Sequence, residues 1–118
     1  MRDYQELDVW TKAHELVLKI YSRTESFPED EKFGLTSQIR RASVSIPSNI
    51  AEGTGKNSDK EFSRFLEIAR SSATELDYQL HLANDLGYID DAKSDILQSN
   101  ISEIKKMLTG FIDSLTNS

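Results

Sequence analysis

Between Leu97 and Leu115 the apolar residues Leu97, Ile101, Ile104, Leu108, Phe111 and Leu115 recur at spacings of four, three, four, three and four. An α-helix gathers such a series onto one stripe, and a stripe this regular is the seam of a bundle or coiled coil. The same three-and-four spacing runs through most of the chain, and strand-like alternation is absent. Five glycines and two prolines among 118 residues leave little to interrupt it. This length suits a single domain with one modest core, and no repeat, linker or low-complexity stretch divides it.

The periodicity predicts four helices. The first runs from about Asp8, taken as its N-cap, to Glu25, with Trp10, Ala13, Val17, Ile20 and Tyr21 facing inward. Phe27-Pro28 ends it. The second covers roughly Glu31 to Gly53, with Leu35, Ile39, Ala42, Ile46, Ile50 and Gly53 on one face. Pro47 lies inside it, where proline removes a hydrogen bond and crowds the preceding turn at a cost of about 3 kcal/mol. Ile46 and Ile50 straddle it in helical phase, so one bent helix is expected rather than two.

Gly53-Thr54-Gly55 is a stop signal, and Ser58-Asp59-Lys60-Glu61 is a capping box that opens the third helix. That helix reaches about Leu86, with Phe62, Phe65, Leu66, Ala69, Ala73, Leu76, Leu80 and Ala83 inward and Gly87 closing it. Asp90 opens the fourth. Short connections make sequential helices antiparallel, so residues 1–118 read as an all-α, up-down-up-down four-helix bundle bent at Pro47 in its second helix.

The helical wheel also leaves apolar or small residues on outward faces. On the second helix these are Ser37, Val44, Ser48 and Ala51, flanked by Arg40 and Arg41. On the third they are Ile68, Tyr78, Leu82 and Leu86, and Ile96 and Met107 widen the apolar arc of the fourth. Scattered exposed apolar residues are normal, but second strips on three of four helices point to a homo-oligomer. Ser37, Val44, Ser48, Ile68, Tyr78 and Leu82 are its interface candidates.

Reactive chemistry is scarce. The chain has no cysteine, which removes thiol catalysis, disulfides, iron–sulfur clusters and cysteine-ligated zinc. Asp77, His81 and Asp85 share a face at metal-ligand spacing, but the Glu-x-x-His pairs of di-iron bundles are missing, and a solvated polar strip is the favoured reading. Gly53 to Ser58 resembles a phosphate loop only briefly: the required first glycine is Ile50, and Asn57 stands where Ser or Thr must follow the lysine. No triad signature is present. Neither catalytic residues nor a cofactor or metal is expected. No apolar run approaches the ~18 residues of a membrane span, and Met1 to Glu6 lacks a signal-peptide core, so a cytoplasmic protein without membrane contact is expected.

The formal net charge is −6, from 14 Lys+Arg and 20 Asp+Glu. It is uneven. Between Thr36 and Ser72 six cations face four anions, a local +2, so the rest of the chain carries −8. Arg40, Arg41, Lys56, Lys60 and Arg64 are therefore the candidates for contact with nucleic acid, although an acidic chain is a poor non-specific binder. Asn49 and Glu52, at the margins of the second helix's inner stripe, are more often helix-bridging groups than a site.

The stretch from Phe33 to Gly53, Phe-Gly-Leu-Thr-Ser-Gln-Ile-Arg-Arg-Ala-Ser-Val-Ser-Ile-Pro-Ser-Asn-Ile-Ala-Glu-Gly, resembles the hallmark of a bacterial four-helix-bundle family. That family is named for proteins encoded in intervening sequences of 23S ribosomal RNA. Leu7-Asp8-Val9-Trp10 and the segment from Glu61 to Leu76 resemble its other motifs, with Arg70 standing where a small residue usually precedes the serine. The resemblance implies a homopentameric ring and draws attention to Arg40, Arg41, Asn49, Glu52 and Gly53. It also implies kinship with the accessory variability protein of diversity-generating retroelements, which works with a reverse transcriptase and nucleic acid. The expected function is a non-enzymatic scaffold or accessory module, partnered by copies of itself and by a protein such as a reverse transcriptase. The alternative is a weak, sequence-tolerant RNA- or DNA-binding module.

Overall fold

Two side-chain caps fix where the longest helices begin. Ser58 Oγ accepts the Glu61 amide at 3.1 Å, and Asp90 Oδ1 accepts that of Lys93 at 2.8 Å. Each satisfies a helix-start N–H that has no intrahelical partner. The computed structural model describes residues 2–117. Its helices are α1 (Asp8–Thr24), α2 (Leu35–Thr54), α3 (Asp59–Asp85) and α4 (Asp91–Thr116), with 3-10 turns at Tyr4–Glu6 and Glu29–Glu31. Gly87, at φ +80°, reverses the chain between α3 and α4, in a conformation that glycine adopts without steric cost.

Each helix packs on its sequence neighbour, and α1 closes on α4. Side-chain pairs confirm antiparallel neighbours: Lys12 meets Glu103 and Lys19 meets Asn100 across α1 and α4, while Arg70 meets Thr109 across α3 and α4. The result is a square four-helix bundle about 45 Å long. The stripes of α2 and α3 are buried as their spacing requires, with only Phe65 half-exposed at the edge. α2 runs unbroken through a buried Pro47. Beside that turn Asn49 Nδ2 donates to Ser45 O (2.8 Å) and Ser45 Oγ (3.0 Å), and Ser45 Oγ lies 2.8 Å from Ser72 Oγ on α3.

Four expectations need correction. α1 buries Val9, Ala13, Leu16, Ile20 and Thr24, whereas Trp10 and Val17 are half-buried and Tyr21 is exposed. The apolar residues of α1 spread around much of the helix, and the two aromatics find partners outside the core. Asp8 is not the N-cap: Leu7 holds that position, and Asp8 lies in the first turn, where its charge favours the helix dipole. α2 starts at Leu35 because the Glu31 carboxylate accepts the Leu35 amide at 3.2 Å, leaving residues 29–31 as a separate turn. Near the end of α4 Ile112 is buried while Phe111 and Leu115 are half-buried, Phe111 meeting Phe62 edge-on at 5.2 Å. Among the described residues no helix is long and apolar enough to cross a membrane.

Gly53 is where α2 comes closest to α3. A Cβ there would lie 2.7 Å from Phe62 Cδ1 and 3.0 Å from Phe65 Cβ. The Phe62 ring is wedged against Phe111 and cannot yield cheaply, so Gly53→Ala should destabilise the fold by about 1–3 kcal/mol, as overpacking does. Urea unfolding checks this, as a lower midpoint with an unchanged slope.

Candidate interaction surface

Arg40 closes the open end of α1. Its Nε donates to Thr24 Oγ1 at 2.9 Å and its Nη2 to the Tyr21 carbonyl at 3.3 Å, while the guanidinium lies 4.5 Å from the centre of the Tyr21 ring. A cation at a helix C-terminus satisfies carbonyls that lack amide partners and favours the dipole. Its position leaves a cleft of about 570 Å³ between α1 and the first half of α2. Tyr21, Phe33, Arg41 and Val44 line it, with Lys32, Thr36, Ser37 and Ser45. Phe33 is 90% exposed, an extreme value for a large aromatic residue, and the buried Thr36 hydroxyl has no hydrogen-bond partner. Further along the same face a shallower cleft of about 340 Å³ runs over Trp10, His14, Pro47, Ser48 and Ala51. There the Trp10 and His14 rings stack at 5.0 Å, nearly parallel, and Tyr4 meets Trp10 edge-on at 4.9 Å.

The outward residues of α2 expected at an interface all lie along these clefts. Val44 and Ser48 are exposed and Ser37 is half-buried. On α3, Ile68 and Tyr78 are exposed, Tyr78 at 64%. Leu82 departs from expectation: it is half-buried and packs against the core cluster. Met107 does the same on α4, while Ile96 remains exposed.

The five candidate cations do not form one patch. Arg40 and Arg41 sit near the start of α2, and Lys56 lies beyond its end, roughly 22 Å away at 1.5 Å per residue. Arg40 is held by α1, and Lys56 Nζ lies 4.9 Å from the centre of the Phe65 ring. Arg41, Lys60 and Arg64 are exposed and make no ion pair among the described residues. Of the motif residues, Asn49 is tied to its own helix, Gly53 permits the approach of α3, and Glu52 is exposed. His81 and Asp77 come within 3.9 Å, but no group of three His, Cys, Asp or Glu is placed to hold a metal among the described residues.

Tyr21, Phe33, Lys32 and Thr36 were missed as lining residues by the periodicity. The signal for Phe33 was present: a large aromatic immediately before Gly34, outside any helical row. On the other side of this loop Tyr88 donates to Glu31 Oε2 at 2.9 Å, joining the α3–α4 turn to the start of α2. That hydrogen bond, then partial burial and the charges of Glu31 and Asp30, raise the Tyr88 pKa above its ordinary 10.0.

The fold is that of a helical-bundle family. A model of the 23S rRNA-intervening sequence protein family matches residues 5–110, and the chain belongs to that family. It is also similar to a solved structure from Bacteroides thetaiotaomicron, described as a protein of unknown function from the S23 ribosomal protein family. The two are 30% identical, with a TM-score of 0.80, over 88% of this chain and 97% of that one. No curated protein matches.

Two outcomes follow from these contacts. Arg40→Ala should cost about 1 kcal/mol, the usual contribution of a hydrogen-bonded cap, and thermal melting should register it. A raised tyrosine pKa contributes stability that is present below the unfolded value of 10.0 and is lost as pH rises through the folded one. Tyr88→Phe should therefore remove part of the alkaline loss, read from urea midpoints measured across that range.

Proposed function

We propose that the chain is a non-enzymatic scaffold or accessory module that works in the cytoplasm as a homo-oligomer, a ring of five copies. The observation that carries this reading is the outer face of α2, where Val44, Ser48 and the 90% exposed Phe33 border two clefts. Small and apolar side chains in a row allow another helix to approach closely and remove apolar area from water on contact. Five identical subunits cannot all pair through two-fold contacts, so the ring uses a heterologous interface, one face of each copy meeting a different face of the next. Family membership supports the reading. Light scattering across the micromolar range tests it and should return a multiple of the chain mass, whereas the monomer mass throughout would refute it. Val44→Asp should lower assembly at least tenfold, and Lys106→Glu on the wet face of α4 should leave it unchanged.

A second reading rests on Arg41, Lys60 and Arg64, exposed and without ion pairs among the described residues. Guanidinium forks suit phosphate oxygens, and repetition around a ring multiplies weak contacts. The charge of −6 per chain opposes it at long range. Fluorescence anisotropy with structured RNA and duplex DNA over a salt series separates the two readings. Phosphate binding should fall linearly in log affinity with log salt, less steeply in Lys60→Ala/Arg64→Ala. No binding at low salt and micromolar protein excludes it.

A further inference from the structure

We infer that the cleft between α1 and the start of α2 receives the acidic outer strip of α3 from a second copy of the chain; this rests on the oligomeric reading above and names the two faces that meet. The cleft is cationic and aromatic, with Lys32, Arg40 and Arg41 around Phe33 and Tyr21. The second half of α3 offers the complement. Tyr78 and Leu86 are 64% and 50% exposed, and the exposed carboxylates Glu75 and Asp85 lie on the same outward side. On a wheel at about 100° per residue all four fall within one third of the circumference, away from the buried Ala73, Leu76 and Leu80. Both faces have apolar area to cover, and their charges are of opposite sign.

Their heights agree as well. Ser45 on α2 meets Ser72 on α3, which fixes the antiparallel register of the two helices. Four residues before Ser45 is Arg41; four residues after Ser72 is Leu76, next to Glu75. The cleft and the acidic strip therefore lie at the same level and the same end of the bundle. Copies related by rotation about an axis parallel to the bundle keep every residue at constant height, so a cyclic ring brings these two faces together without a shift. A contact of this kind is heterologous and closes. Within the chain the two charges remain apart: Arg41 has no ion pair among the described residues, and Glu75 accepts instead from Gln79 Nε2 at 3.3 Å.

The test is a pair of charge reversals studied separately and then mixed. Arg41→Glu places a carboxylate opposite Glu75 of the next copy, and Glu75→Arg places a guanidinium opposite Arg41. Each full-length variant alone should need at least tenfold more protein to assemble, by light scattering, with an unchanged helical circular dichroism spectrum. Mixed, the two chains can alternate, which in a ring of five gives opposite charges at four of the five contacts and leaves one like pair, so most of the assembly should recover. Recovery by mixing supports a contact between copies, because a pair within one chain would gain nothing from a second. Variants that assemble like the parent, or that stay apart when mixed, overturn the pairing while leaving the oligomer standing. A parent chain that is monomeric throughout overturns the oligomeric reading itself. Should either reversal unfold the chain, Phe33→Ala and Tyr78→Ala take its place: each should weaken assembly about tenfold, and unchanged assembly of both overturns the pairing.

Discussion

The close approach of α2 and α3 governs this bundle. Gly53 rests against the rings of Phe62 and Phe65, Ser45 touches Ser72, and Ala69 and Ala73 are fully buried on the α3 stripe. Small residues on both helices let the backbones come near enough for the larger side chains of α1 and α4 to fill what remains. Protein interiors pack at crystal-like density, so a methyl group at Gly53 has nowhere to go. The same contacts fix the vertical register of the two helices. Which outer residues stand at which height follows from it.

Pro47 acquires its sense within that seam. The amide it lacks would have bonded the carbonyl of Ser43, and the chain gathers polar side chains around the affected turn instead of breaking there. Asn49 holds Ser45, and Ser45 holds α3. The loop end of the bundle has its own ties. Glu31 accepts both the Leu35 amide and the Tyr88 hydroxyl, while Arg40 closes α1. These ties hold the segment carrying Phe33 from both sides, so an aromatic ring can stand in water on a rigid base.

Most of the architecture was legible because burial writes a period into the sequence. The rows of α2 and α3 could be read residue by residue, as could the caps Ser58 and Asp90 and the reversal at Gly87. α1 was harder. Its apolar residues include Trp10, Val17, Leu18 and Tyr21 beside the core row, so several stripes fit equally well. Only tertiary contacts, Trp10 with Tyr4 and His14 and Tyr21 under Arg40, decide between them. Arg40 shows the same limit for charge. A cation in sequence carries no sign of whether it will cap a helix or face solvent, and Arg41 beside it has the other fate. The outer face of α2 was visible as small residues in phase. Its clefts were not: the larger depends on a loop, residues 29–34, that has no periodicity to read, and the shallower on the packing of Tyr4, Trp10 and His14.

The aromatic stack at the far end of that face has a spectroscopic consequence. Trp10 is the chain's sole tryptophan, half-buried in the shallower cleft with its ring against His14. Its neighbours there, Ser48 and Ala51, belong to the outer face of α2. Indole emission responds to the polarity and mobility of its surroundings, so excitation at wavelengths beyond the absorption of the four tyrosines reads a single indole located on the surface whose covering matters. Emission wavelength and accessibility to a dissolved quencher thus report the hydration of this face without any attached dye, at concentrations too low for scattering.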